Sequence, residues 1–320
     1  MRIIIPGGTG QVGTFLARAF HERGDQVVVL SRNPQTAPWR VVQWDAETLG
    51  NWAFEFEGAD AVINLAGRSV NCRYNATNRK LITDSRVNST RVVGEAIARA
   101  ARPPRVWLQA STATIYAHRY DAPNDEATGI VRGSESNSPD TWNFSLDVVT
   151  SWEHAANDAK TPKTRKVLLR SAIVMSPDRG GAFDMLLKLV RFRLGGRAGD
   201  GRQYVSWIHD QDFIRSILWL IDHDDFVGAV NVAAPNPLPN SEFMQALRTA
   251  WGTRIGLPAT DGMLELGAFL LRTETELILK SRRVVPRRLL ESGFTFQFPN
   301  WVEAAKDLCY RWRDMPSNAE

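Results

Sequence analysis

Apolar runs of strand length alternate with amphipathic stretches through residue 175, which predicts an α/β fold on a doubly wound parallel sheet. Three observations carry this expectation. Ile3 to Ile5 form a β-branched run without polar alternation, as a strand buried on both faces requires. Gly7, Gly10 and Gly13 follow at G-x-x-G-x-x-G spacing. Phe15, Leu16, Ala19 and Phe20 then fall at helical spacing. Strand, glycine turn and helix together form the context in which such a turn cradles a pyrophosphate. Glycines let the phosphates approach main-chain N–H groups, and the helix N-terminus adds partial positive charge. Gly7, Gly8, Thr9, Gly10, Gln11, Val12 and Gly13 are therefore the first candidate dinucleotide contacts. The plainer reading is a tight turn with no ligand.

The remaining elements follow in order. Gly24 suits the end of the first helix, and Gln26 to Leu30 is the second strand. It runs into Ser31-Arg32, with no acid at this turn. A carboxylate here would bind the ribose hydroxyl of NAD; an Arg pairs with the 2′-phosphate of NADP. Ser31 and Arg32 thus favour NADP(H) over NAD(H), the alternative being an exposed loop arginine. Val41 to Trp44 reads as the third strand, ending at Asp45. Ala61 to Leu65 is the fourth, and its small followers Ala66 and Gly67 let backbone lie against a cofactor, with Leu65 beside them. Asn78 to Ala100 is a long helix. Val106 to Ala110 is the fifth strand, ending in Ser111-Thr112, and Lys166 to Ile173, with Arg170, is the sixth. A ligand lies across the carboxyl ends of such strands, where Gly7, Arg32, Asn64, Ser111 and Arg170 fall.

Beyond residue 175 glycines and prolines multiply. Asp212 to Ile221 reads as a helix with Asp212 as N-cap, and Ala229 to Ala233 as a seventh strand. Ser241 to Gly252 and Leu264 to Leu271 read as helices, and the tail after Trp312 carries little pattern. The expected division is a Rossmann-type nucleotide-binding domain over 1–177 and 207–235. A small, mostly helical substrate lobe takes 178–206 and 236–320.

The 320-residue chain is 43% hydrophobic and 23% charged, an ordinary globular composition. A net charge of +4 with no long basic run gives no case for nucleic acid. Cys72 and Cys309, far apart, form neither a zinc site nor a disulfide framework, so no metal is expected and a reducing cytoplasm is the expected compartment. The N-terminus enters a strand directly, and no apolar run reaches membrane-spanning length, so neither a signal peptide nor a membrane is expected. Oligomeric state is not legible.

Several separated motifs agree on one family. They include Asn64-Leu-Ala-Gly, Asp84-Ser-Arg, Ser111-Thr-Ala-Thr-Ile-Tyr, Gly195-Gly-Arg-Ala-Gly-Asp-Gly-Arg-Gln, Trp207-Ile-His-Asp, Asn231-Val-Ala-Ala-Pro and Val285-Pro-Arg-Arg-Leu-Leu-Glu-Ser-Gly-Phe. Across nearly its whole length the chain resembles the epimerase family proteins of the atypical extended short-chain dehydrogenases/reductases. These are nucleoside-diphosphate-sugar epimerase-like proteins with a C-terminal domain of unknown function, DUF1731. The resemblance implies that Asp45 faces the adenine amine. It also implies a catalytic Tyr-x-x-x-Lys whose lysine lowers the tyrosine pKa, with a Glu four residues on. Anchoring on Glu153 puts Val149 at the lysine and Ser145 at the tyrosine, and neither can do that chemistry. Arg86 stands where the family usually has Asn. Thr112 alone keeps its standard role, a hydroxyl at the end of the fifth strand. Tyr116 and His209 are the candidate replacement proton donors, His209 because imidazole titrates in the useful range. Two functions stay open. One is an NADP-dependent oxidoreductase or epimerase-like enzyme acting on a nucleotide sugar or other small carbonyl compound. The other is a non-enzymatic NADPH-binding redox sensor or partner-binding module.

Overall fold

The structure, a computed structural model, describes residues 1–132, 139–260, 262 and 279–315. Contacts divide the chain into two compact units. The first comprises Met1–Ile115, Asn143–Arg170 and Ile214–Val230; the second comprises Tyr116–Trp142, Ser171–Phe213 and Asn231–Glu320.

A seven-stranded sheet forms the core of the first unit. β1 (Arg2–Pro6) lies at its centre, parallel to β2 (Gln26–Ser31) on one side and β4 (Ala61–Asn64) on the other. β3 (Arg40–Gln43) extends the β2 edge and β5 (Val106–Thr112) the β4 edge, both parallel. β6 (Arg165–Ser171) and a later strand, Gly228–Val232, complete the order. Ile3, Ile4 and Ile5 are wholly buried, which is why β1 shows no polar alternation. Burying three such side chains is worth roughly 5–9 kcal/mol before the entropy of ordering them.

Helix α1 (Gln11–Glu22) starts directly from the glycine turn, and Gly24, at φ +89°, follows its end. α2 (Ala76–Arg99) begins two residues before the expected start, because the Asn75 side chain caps it by accepting the Asn78 N–H at 2.9 Å. α3 (Asp140–Asp158) precedes β6. β3 stops before Trp44 rather than including it. Trp44 turns inward to meet Trp52 edge-on at 5.3 Å, and Trp52 meets Phe56 at 5.7 Å.

The expected sixth strand, 166–173, proves to be two. β6 ends at Ser171, and β7 (Ile173–Met175) pairs in parallel with β9 (Trp207–His209) in a separate small sheet of the second unit. Between them lie α4 (Ala182–Arg191) and the two-residue strand β8 (Tyr204–Val205). α5 (Asp210–Asp222) begins two residues ahead of Asp212. Asp212 is not its N-cap; its carboxylate accepts the N–H groups of Gln297 and Phe298 at 2.8 and 2.7 Å, so it ties down a distant loop. α6 (Asn240–Trp251) ends at Gly252 in the left-handed conformation, φ +91°. The C-terminal helix Trp301–Asp314 runs past Trp312. The second unit's core centres on Trp301, stacked on Phe243 at 4.0 Å, edge-on to Trp207 at 5.0 Å, and donating Nε1–H to the Phe243 carbonyl. The expected helix over 264–271 lies outside the described residues.

Candidate functional site

The four glycines of the first turn divide by task. Gly7 has φ +76°, and a Cβ there would lie 2.6 Å from the Ala66 Cα. A Cβ on Gly8 would lie 2.9 Å from the Ile5 carbonyl oxygen, and one on Gly13 only 2.4 Å from the Gly8 Cα. These three let the turn, α1 and the end of β4 pack together. Gly10 is different: a Cβ there would meet nothing nearer than the Gly7 carbonyl oxygen, at 3.7 Å. Its φ of −72° suits any residue. Packing does not demand this glycine, whereas close approach of a ligand would. Gly10 also precedes the first turn of α1, which has no side-chain cap and no acidic residue. Its N–H groups lack intrahelical acceptors and favour an anion.

In front of the turn lies a cleft of about 440 Å³. Gly7, Thr9, Gly10, Ser31, Arg32, Asp45, Leu65, Ala66 and Gly67, all singled out from sequence, line it together. Gly8, Gln11, Val12 and Gly13 are not part of this lining. The Thr9 and Ser31 hydroxyls are 3.1 Å apart, which couples the glycine turn to the end of β2, and the Ser31 hydroxyl donates to the Asn33 carbonyl. Arg32 is exposed and, among the described residues, makes no ion pair. Burial pushes the Asp45 carboxyl up, but bonds from the Thr48 hydroxyl and from the N–H groups of Glu47 and Thr48 outweigh it and hold the group below its ordinary value. Asp45 thus caps its own turn while facing the cleft. Arg68, Asp84 and Ser85 also line the cleft and were not expected there. Their only sequence signals were proximity to Gly67 and the Asp84-Ser85-Arg86 motif.

Ser111 and Arg170 are brought together elsewhere in the first unit, around Glu153. Arg170 donates to Glu153 through Nε and Nη2, both at 2.9 Å, and the Ser111 hydroxyl donates to it at 2.6 Å. Neither residue is part of the cleft lining; both hold the buried Glu153 of α3 against the carboxyl ends of β5 and β6. Thr112, at the end of β5, is half-buried and donates to the Thr114 hydroxyl at 3.1 Å. Val149, on α3, is only 3% exposed.

Tyr116 and His209 belong to the second unit. Tyr116 is 2% exposed and donates its hydroxyl to Asn231 Oδ1 at 2.9 Å. The Asn231 N–H in turn donates to Glu126, whose carboxyl burial raises above its ordinary value. His209 is fully buried, stacked on Phe298 at 3.9 Å, and its Nε2 lies 2.9 Å from Asp307. Asp307 and Asp210 both accept from Arg311, so the C-terminal helix is fastened to the start of α5 by a cluster of charges. Among the described residues no group of His, Cys, Asp and Glu could hold a metal ion, and no helix is long and apolar enough to cross a membrane.

A parallel sheet whose glycine turn fronts a cleft at the carboxyl ends of β1, β2 and β4 defines an NAD(P)-binding Rossmann-type protein. The chain belongs to the NAD dependent epimerase/dehydratase family, whose model matches residues 3–233, within the extended short-chain dehydrogenases/reductases. A second model, a domain of unknown function (DUF1731), matches residues 261–308. Epimerase family protein SDR39U1 of Homo sapiens is 32% identical over 311 residues, covering 96% of this chain and 99% of the relative. Epimerase family protein SERP0438 of Staphylococcus epidermidis is 31% identical over 314 residues, covering 96% and 98%. The crystal structure of human SDR39U1 (isoform 2) with NADPH is similar at a TM-score of 0.83 and 30% identity, over 97% of this chain and 99% of that one. UDP-N-acetylglucosamine 4-epimerase from Bacillus cereus, at 16% identity and a TM-score of 0.73, shares the fold.

Proposed function

We propose that the chain is an NADP(H)-dependent oxidoreductase or epimerase-like enzyme with an atypical proton path. The observation that carries the reading is the end of β2. It presents Ser31 and an exposed Arg32, engaged in no ion pair among the described residues, into the same cleft as the Gly10 turn. A guanidinium there pairs with a 2′-phosphate. The human relative solved with NADPH supports the same preference. Gly10 and the first turn of α1 would take the pyrophosphate, Ser31 and Arg32 the 2′-phosphate, and Leu65 to Gly67 would lie against the cofactor. NADPH supplies a hydride when bound. Thr112 is the hydroxyl of this chain suited to orient a carbonyl, and the substrate class is a small carbonyl compound, a nucleotide sugar among the candidates.

Consumption of NADPH against a panel of carbonyl compounds and nucleotide sugars tests the enzyme. Turnover of one panel member supports it, and tight NADPH binding with no turnover across the panel sinks it. The second reading, a non-enzymatic NADPH-binding sensor or partner-binding module, has a specific observation in its favour. Val149 is buried and apolar, and Tyr116 and His209 are buried with their polar atoms already engaged. A group so engaged must break a bond before it gives a proton to a ligand.

A further inference from the structure

Arg86 stands just behind the cleft. A Cβ on Gly67 would lie 3.3 Å from its Cγ and Cζ, so its side chain runs along the backbone that forms the cleft wall. The guanidinium sits over the Trp152 ring at 5.0 Å. Nη1 donates to the carbonyls of Arg68 and Ile82 at 3.0 and 3.1 Å. Among the described residues no acidic side chain pairs with it. Burial lowers its pKa to about 10, which still leaves it cationic at neutral pH. A role confined to holding two carbonyls needs only a neutral donor. The half-buried guanidinium, with no acidic partner among the described residues, is a cation that an arriving anion can pair with.

We propose that Arg86 is an anion-binding residue of this cleft. Its Nη1 is anchored on two carbonyls, and its Nε–Nη2 edge receives an anionic oxygen of the bound ligand. That edge is the one that takes a carboxylate or phosphate bidentately. The oxygen comes either from the cofactor pyrophosphate or from a carboxylate or phosphate on the co-substrate. The inference rests on reading the cleft as a nucleotide site, and Arg86 would then select an acidic ligand at its Gly67 end.

Wild type, Arg86→Lys and Arg86→Gln are compared, with circular dichroism as the folding control. Inorganic pyrophosphate is titrated calorimetrically into cofactor-free protein, NADPH is titrated by its fluorescence, and oxalate is titrated into NADPH-saturated protein. A loss of about tenfold or more in pyrophosphate and NADPH affinity in Arg86→Gln, partly restored in Arg86→Lys, assigns the anion to the cofactor. A loss of that size confined to oxalate assigns it to the co-substrate. Unchanged affinity for all three probes in folded Arg86→Gln overturns the proposal, as does wild-type protein that binds none of them. Wild type that binds pyrophosphate through Arg86 but not NADPH removes the nucleotide reading and keeps the anion site. Should Arg86→Gln fail to fold, Arg86→Lys decides: affinity several-fold below wild type supports a bidentate contact, and equal affinity for every probe overturns it.

Discussion

Gly10→Val separates binding from folding. At Gly10 the backbone angles, φ −72° and ψ 167°, are open to valine, and the nearest atom to a new Cβ is 3.7 Å away. The loss at this N-cap should therefore stay within about 1 kcal/mol. At Gly13, by contrast, a Cβ would sit 2.4 Å from the Gly8 Cα, closer than any packed pair tolerates, so Gly13→Ala should damage the fold itself. The binding cost at Gly10 is larger. Valine puts three carbons where the pyrophosphate meets the first-turn N–H groups. Losing two charge-assisted hydrogen bonds, at roughly 1.5–3 kcal/mol each, weakens NADPH by about a hundred- to ten-thousandfold. Fluorescence titration of NADPH gives the affinity, and thermal unfolding by circular dichroism gives the stability. A folded Gly10→Val protein that binds NADPH as tightly as wild type would refute the reasoning, because the turn would then not cradle the phosphates.

Arg32→Ala should weaken NADPH by about ten- to thirtyfold, the lower part of the range for a charge-assisted pair because Arg32 is exposed, and should leave NADH nearly unchanged; equal losses for the two cofactors would remove Arg32 from the 2′-phosphate. Burial pushes the Asp307 carboxyl up, but bonds from His209 and Arg311 leave it below its ordinary value. A carboxyl depressed by folding adds stability that is complete above its unfolded pKa and is lost as pH falls through the folded one. The advantage of wild type over Asp307→Asn in urea melts should therefore shrink from pH 7 to about pH 3; a gap that does not change with pH sinks this assignment. Ser145→Tyr with Val149→Lys should raise NADPH-dependent carbonyl reduction about 10²-fold or more if the register drawn from Glu153 holds, since general acid help is worth that much; a folded double variant with unchanged turnover rejects the register.

The parts of the site legible in sequence are those whose chemistry is local. The glycine spacing follows directly on β1, and the first residues after β2 must reach the same cleft, so Gly7, Gly10, Ser31 and Arg32 could be placed together from spacing alone. Residues whose role depends on distant partners could not be read this way. Nothing near Arg170 in sequence announces that Glu153 and Ser111 meet it. Asp212 looked like a helix cap because its neighbours are helical, yet its partners are eighty-five and eighty-six residues away. The break between β6 and β7 is of the same kind. The run over 166–173 is strand-like throughout, and only pairing with Trp207–His209 separates its end.

The tie between Glu153 and Arg170 bears on the register that puts Val149 and Ser145 at the usual dyad positions. Glu153 is the residue that fixed the register, and it faces the half-buried Arg170 guanidinium and the Ser111 hydroxyl. One helical turn earlier on α3, Val149 is buried. A lysine there would carry a charge into that setting and would need the cleft, or a bound ligand, to receive its ammonium. Arg86, reaching from α2 to the Trp152 ring on the same helix, already brings a cation to this region, anchored on carbonyls that a lysine at 149 would not use. Under the register drawn from Glu153, the absence of a lysine at 149 therefore does not leave the region without positive charge. A guanidinium, however, stays protonated and cannot donate a proton as an acid at neutral pH. Arg86 can hold or orient an anion, while any proton a reaction needs must come from another group or from water.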